Sequence, residues 1–280
     1  MKTLRHYTRL FFGVTSMALT LASCQDHRDP SRLADVALVT TTVGTVITTQ
    51  DGRSLYFFAP DVNGSSNCNG NCAVTWPPFF KDSPGLATGL APTDFSTITR
   101  ADGSKQTTYK GWPLYTFRND AAAGDVKGEN VGNNWSVAKP DYMVLRAAGQ
   151  LVGNDGKNYT ADFKEGTGTT TYIADDRGVS LYTLSIDKQN TNTFTRSDFS
   201  NNAIWPIVEP NALKEVPSFL NKADFGVINV FGRSQVTFRG WPLYYFGADN
   251  KVRASTKGVS AGRQPGFWPI VTPTLATAPL

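Results

Sequence analysis

The chain predicts an all-β body of two tandem homologous domains, built of short antiparallel strands and hairpins, and three observations carry that prediction. Beyond the first thirty residues the apolar positions fall in short alternating runs broken by Gly, Thr and Asn. No stretch of fifteen residues shows a persuasive helical period. Landmarks also recur: Gly111-Trp112-Pro113-Leu114-Tyr115 returns as Gly240-Trp241-Pro242-Leu243-Tyr244, 129 residues later. Leu55-Tyr56 matches Leu181-Tyr182, Trp76-Pro77 matches Trp205-Pro206, and Asp94-Phe95 matches Asp224-Phe225, at separations of 126, 129 and 130. Such constancy reads as duplication. It divides the body into residues 37–140 and 141–273, followed by a tail over 274–280.

The first residues read as a targeting segment. Lys2, Arg5 and Arg9 make a positive start, and Leu10 to Leu21 form an apolar run of about 12 residues, where a bilayer span needs about 20. Leu21-Ala22-Ser23-Cys24 resembles the lipobox read by the lipoprotein-processing machinery. It predicts a signal peptide over 1–23, lipid on Cys24 and a polar tether over 24–36. Several acyl chains on one residue give stable anchoring where one does not. The membrane is thus the first expected partner. Gln25, where an aspartate is absent, favours the outer membrane of a Gram-negative envelope, facing the periplasm or the cell surface.

Charge and missing residues exclude whole classes. The chain carries +4; loss of Lys2, Arg5 and Arg9 with the leader leaves +1. A near-neutral body with scattered basic residues offers no footprint for nucleic acid. Both histidines, His6 and His27, precede the body. Without imidazole there is no Ser-His-Asp triad, no His-bearing zinc site and no c-type haem. No metal site and no cofactor are expected.

Along the body, Val46 to Phe58 reads as strand, Asp51-Gly52 turn, strand, and Gln106 to Phe117 as a second hairpin reversing at Gly111. Pro113 lacks an N–H and so belongs at a strand start or on an edge. A finer repeat lies inside each domain: Tyr56-Phe58-Asp61, Tyr115-Phe117-Asp120, Tyr182-Leu184-Asp187 and Tyr244-Phe246-Asp249. In a strand, residues two apart share a face, so each Tyr packs with its follower while the preceding Leu packs on the other side. Each Asp falls where the strand should end, as a turn cap.

The fourfold Tyr-x-aromatic-x-x-Asp pattern, the Cys68-to-Pro78 segment and the lipobox together resemble the bacterial secreted-repeat lipoproteins, over about 45 to 270. That resemblance implies an extracytoplasmic location and tandem repeats; it does not imply a reaction. Two departures stand out. Leu184 replaces the aromatic in the third copy, and the second domain lacks the cysteine pair, with Trp205-Pro206-Ile207 where Trp76-Pro77-Pro78 stood.

Candidate sites are few. Cys68 and Cys72, so close in an oxidising compartment, favour a structural disulfide. The sharper alternative is a thiol pair for redox exchange or copper, which would need a histidine that this body lacks. Asp61, Asp120, Asp187 and Asp249 are possible calcium ligands, though isolated ones, and Asp175-Asp176 is an acidic pair that a hairpin turn explains equally. Trp112 and Trp241 sit at hairpin turns and offer a conceivable sugar-stacking ligand face; covering the core is the simpler role. Trp76, Trp135, Trp205 and Trp268 read as core. The function expected is a lipid-anchored binding or structural module without catalysis, whose partner is an envelope protein or glycan. A redox or metal-handling component is the first alternative, and a carboxylate-based glycan hydrolase the last.

Overall fold

A computed structural model describes residues 34–210 and 215–280; the expected signal peptide, Cys24 and nearly all of the tether lie outside the described residues. Eight strands are described before residue 140. They are β1 (Val36–Thr41), β2 (Gly44–Thr49), β3 (Leu55–Phe58), β4 (Phe95–Thr99), β5 (Lys105–Tyr109), β6 (Trp112–Pro113), β7 (Tyr115–Thr116) and β8 (Trp135–Val137). Seven more follow: β9 (Val144–Gly149), β10 (Leu151–Val152), β11 (Asn158–Tyr159), β12 (Thr170–Asp175), β13 (Phe225–Val230), β14 (Arg233–Phe238) and β15 (Trp241–Pro242). The body is all-β, with one short helix, α1 (Asn71–Thr75), besides brief 3₁₀ turns among the described residues.

The two halves share one frame. β1 pairs with β2, and β9 with β12, each antiparallel over six residues. Sheet β4-β5-β6 matches β13-β14-β15. Lys110-Gly111 and Arg239-Gly240 close the last hairpin of each sheet with two successive left-handed residues, at φ 48° and 79° and at φ 49° and 81°. That turn matches the native twist of paired strands and explains the glycine at its second position. Pro113 lies on edge strand β6, as its missing N–H requires. The central strand β3 lies between β7 and β8, pairing Tyr56 with Tyr115 and with Val137. In the second half the same places hold single bridges, Tyr182 to Tyr244 and Tyr182 to Ile270.

The hairpin expected around Asp51-Gly52 forms only at its turn end, through a Thr48–Ser54 bridge. Beyond it Ala138 wedges between the strands: its N–H donates to Leu55 O at 2.7 Å, and its carbonyl accepts from Ile47 N–H at 2.7 Å. β3 is therefore released from β2 and recruited into a sheet of its own. Both its faces are covered. Leu55 and Phe57 join one apolar core, while Tyr56 and Phe58 pack with Trp76 and Trp135 in another.

Backbone ladders stay within each half, yet Leu33–Leu280 is one compact unit and its largest core runs from Val36 and Trp112 through Tyr182 to Trp268. Polar contacts reinforce that seam. Lys110 Nζ meets Asp176 at 2.6 Å, and Arg177 meets Asp94 at 2.8 Å. Arg253 donates to the carbonyls of Val62, Lys110 and Arg177, with its guanidinium 4.9 Å from the Trp112 ring centre. Among the described residues no helix is long and apolar enough to cross a membrane.

Candidate functional site

The four tyrosines and four aspartates of the finer repeat meet in pairs, but not within their own copies. Tyr56 donates to Asp120 at 2.7 Å and Tyr115 to Asp61 at 2.6 Å. In the second half Tyr182 donates to Asp249 and Tyr244 to Asp187, both at 2.7 Å. Each carboxylate spends its other oxygen on a backbone N–H six to eight residues ahead, from Asn67, Lys127, Thr193 and Lys257. The aspartates thus pin whole loops, a wider task than the local turn cap that sequence suggests. Gly128 and Gly258 donate their N–H groups to Tyr56 and Tyr182 at 3.3 Å. A Cβ on Gly128 would lie 2.8 Å from the Tyr56 ring and 2.7 Å from Trp76, so only glycine permits that approach.

Burial is the largest influence on these groups. It pushes Asp61 up to about 6, against opposing hydrogen bonds from Tyr115 and Asn67, and it also raises Asp120, Asp187 and Asp249. The paired tyrosines are raised as well, by burial first and by their aspartates next. A carboxylate with both oxygens satisfied and no exposed surface holds a structure rigid; it is poorly placed to exchange protons with a substrate.

Between the paired tyrosines lies a stack of rings. Trp76 and Trp135 are parallel at 3.7 Å, with Phe117 on Trp76 at 4.2 Å and Phe58 on Trp135 at 4.3 Å. Tyr56 and Tyr115 meet the two tryptophans edge-on. The second half repeats this with Trp205 on Trp268 at 3.7 Å and Phe246 on Trp205 at 4.4 Å. There Leu184 takes the fourth place, and Phe194 meets Trp268 edge-on at 5.0 Å.

A cavity of about 800 Å³ opens at this altered stack, lined by Leu184, Ile186, Phe194, Ile204, Phe246 and Phe267, with Arg263 and Asp155. The features that distinguish the second half converge on it. Leu184 stands where Phe58 fills the first half, and Phe194 stands where Cys68 does, one residue after the amide that binds the loop-pinning aspartate. The β9–β12 connection is enlarged by β10 and β11, whose turn brings Asn154 and Asp155 to the rim. Trp135 lies seven positions after Gly128, whereas Trp268 lies ten after Gly258, and Arg263 is in that longer loop. None of the four loop-pinning aspartates lines the cavity.

A family model described as a secreted repeat of unknown function matches residues 37–80 and 96–139. Those two segments each match the secreted repeat. One repeat supplies Tyr56, Asp61 and Trp76, and the next supplies Tyr115, Asp120 and Trp135, each 59 residues on. Two secreted repeats therefore build one stack by exchanging partners. That description points to the cell envelope or the outside of the cell. No curated protein and no solved structure matches the chain.

The other sequence candidates resolve around this repeat frame. Cys68 and Cys72 are joined in a disulfide, Cα to Cα 5.2 Å, packed against the first stack. Buried Arg100 donates to the Cys68 carbonyl at 2.9 Å and holds that loop. Asp175 caps its turn through the amides of Arg177 and Val179, and Asp176 bonds Lys110, so the pair is used structurally. The conceivable ligand face at Trp112 is corrected: the ring is fully buried beneath Arg253, and its Nε1 donates to Asp176 O at 3.1 Å. Trp241 is half-buried and donates to Ala276 O at 2.8 Å. Ile186, Phe194, Ile204, Phe267 and Arg263 escaped the sequence reading, since they belong to no repeated motif. Two signals were available: Leu184, the break in the aromatic pattern, and the missing cysteine pair, where Phe194 stands in the place of Cys68.

Proposed function

We propose that the protein is a lipid-anchored envelope module that binds a small ligand in the cavity of its second half and performs no catalysis. The convergence of three local differences on one cavity carries this reading: the Leu for Phe exchange, the β10–β11 insertion and the longer 258–268 loop leave the duplicated frame intact and open space alongside one stack. About 800 Å³ is within the ordinary size of small-molecule sites, which are mostly apolar with a few polar groups. The conspicuous carboxylates are consumed as pins, which supports binding over hydrolysis. The disulfide and the absence of histidine from residues 34–280 support a structural role for Cys68 and Cys72 over metal handling. Anchoring rests on Cys24 and its preceding residues.

Two measurements test it. Cells fed an alkyne palmitate analogue should label the wild type and not Cys24→Ser, which should leave the membrane fraction; equal labelling would remove the anchor. The body from Leu33 onward, dialysed against a small-molecule extract of the envelope, should show a stoichiometric adduct below 1,000 Da by native mass spectrometry, roughly the upper size for such a cavity. A body that emerges bare would leave a purely structural module.

A further inference from the structure

We infer that the cavity takes a small planar aromatic anion, its ring against Phe246 and Phe267 and its negative group at Arg263. This rests on the binding reading above and names the ligand class. The ring preference comes from comparing the two stacks. Phe117 closes the end of the first stack and is 6% exposed, whereas Phe246, its counterpart, is only half-buried and forms part of the cavity wall. Phe194, Phe267 and the Trp205–Trp268 pair complete an aromatic lining. Offset or edge-on ring pairs gain energy beyond area burial, so this lining prefers a ring over an alkyl chain.

The rim favours the same shape. Ile186 and Ile204 stand 55% and 58% exposed at the mouth, a placement that costs solvation unless something covers them. Their counterparts in the first half are Pro60 and Thr75; the latter correspondence follows from Gly247 N–H donating to Ile204 O as Arg118 N–H does to Thr75 O.

Charge sets the sign. Only Asp155 and Arg263 among the lining residues are charged. Asp155 stays ionised, with its oxygens turned to the Tyr159 hydroxyl at 2.6 Å and the Lys157 amide at 3.2 Å in its own hairpin, so Arg263 is the one cation of the lining. Arg263 is exposed, rests 5.6 Å from the Phe267 ring centre, and makes no ion pair among the described residues. A guanidinium stacked on a ring keeps its in-plane N–H groups free for a carboxylate or sulfonate.

Two dyes with one skeleton separate ring from charge: 8-anilinonaphthalene-1-sulfonate and the neutral N-phenyl-1-naphthylamine. With the folded body from Leu33 onward, the sulfonate should bind at one site, about tenfold more tightly than the neutral dye, as one charge-assisted contact predicts. Arg263→Gln should abolish that tenfold preference and leave the neutral dye unchanged. Ile204→Asp, a surface change that spares the fold, should remove both dyes. So should Leu184→Phe, provided its near-UV circular dichroism is native. Equal binding of the two dyes, unmoved by Arg263→Gln, would overturn the anion claim and leave the cavity standing. Binding of both that survives Ile204→Asp would overturn the site, and with it the binding reading.

Discussion

Tyr56 bonds Asp120, 64 residues away, and leaves Asp61, five residues away in its own motif, to Tyr115. The exchange makes two repeats one folding unit, because neither can satisfy its buried hydroxyl and carboxylate alone. A double-mutant cycle should show it. Tyr56→Phe should cost about 1–3 kcal/mol by leaving a buried carboxylate oxygen without its donor. It should couple to Asp120→Asn, and add to Asp61→Asn within about 0.5 kcal/mol. Coupling to Asp61 instead, measured by urea unfolding, would contradict the exchanged pairing.

Asp61 gives a pH dependence of definite sign. Its native value is raised to about 6 from 3.8, so the folded state binds the extra proton. Its favourable contribution is complete below about 3.8 and is lost as pH rises through about 6. Measured against Asp61→Asn, which cannot titrate, the wild type should gain about 2.5 kcal/mol between pH 7.5 and 4, because a tenfold change in proton affinity is worth about 1.4 kcal/mol. A difference that stays flat across that range would show Asp61 to be ordinarily solvated.

Cys68 and Cys72 should resist alkylation in the native protein until a reductant is added. Complete labelling without reductant would defeat the disulfide. Replacing both by serine should lower stability by roughly 2 kcal/mol, the scale for so short a closed loop. The loss should appear in the first stack, where Trp76 and Trp135 report by fluorescence.

Arg253 should be the most sensitive residue of the seam. Burial draws its guanidinium down to about 10, still charged at neutral pH, and it serves three carbonyls while covering Trp112. Arg253→Met should destabilise by roughly 2–4 kcal/mol, since it strands buried acceptors. It should also shift Trp112 emission to the red. An unchanged melting temperature would mean that Arg253 adds nothing to the seam.

The frame was legible wherever the chain repeats itself. The 129-residue return of Gly-Trp-Pro-Leu-Tyr gave the duplication, and alternation around each Tyr gave strands covered on both faces. Glycine at 111 and 240 marked the reversals. What escaped depends on residues distant in sequence. The motif spacing suggests that each Asp serves its own strand end, whereas the fold hands it to the neighbouring copy. Trp112 looks like an exposed turn residue until Arg253, more than a hundred positions later, covers it. The cavity was hidden for the opposite reason: pattern-reading finds what recurs, and the cavity is made of what does not.

The division between a pinned frame and an unpinned mouth has a consequence for how such a chain can change. Ile186, Ile204 and Arg263 take no part in the Tyr–Asp exchange or the tryptophan stacks, so substitutions there alter what fits while the melting point hardly moves. A duplicated scaffold of this kind lets one copy keep the architecture sound and leaves the other free to drift toward a new guest.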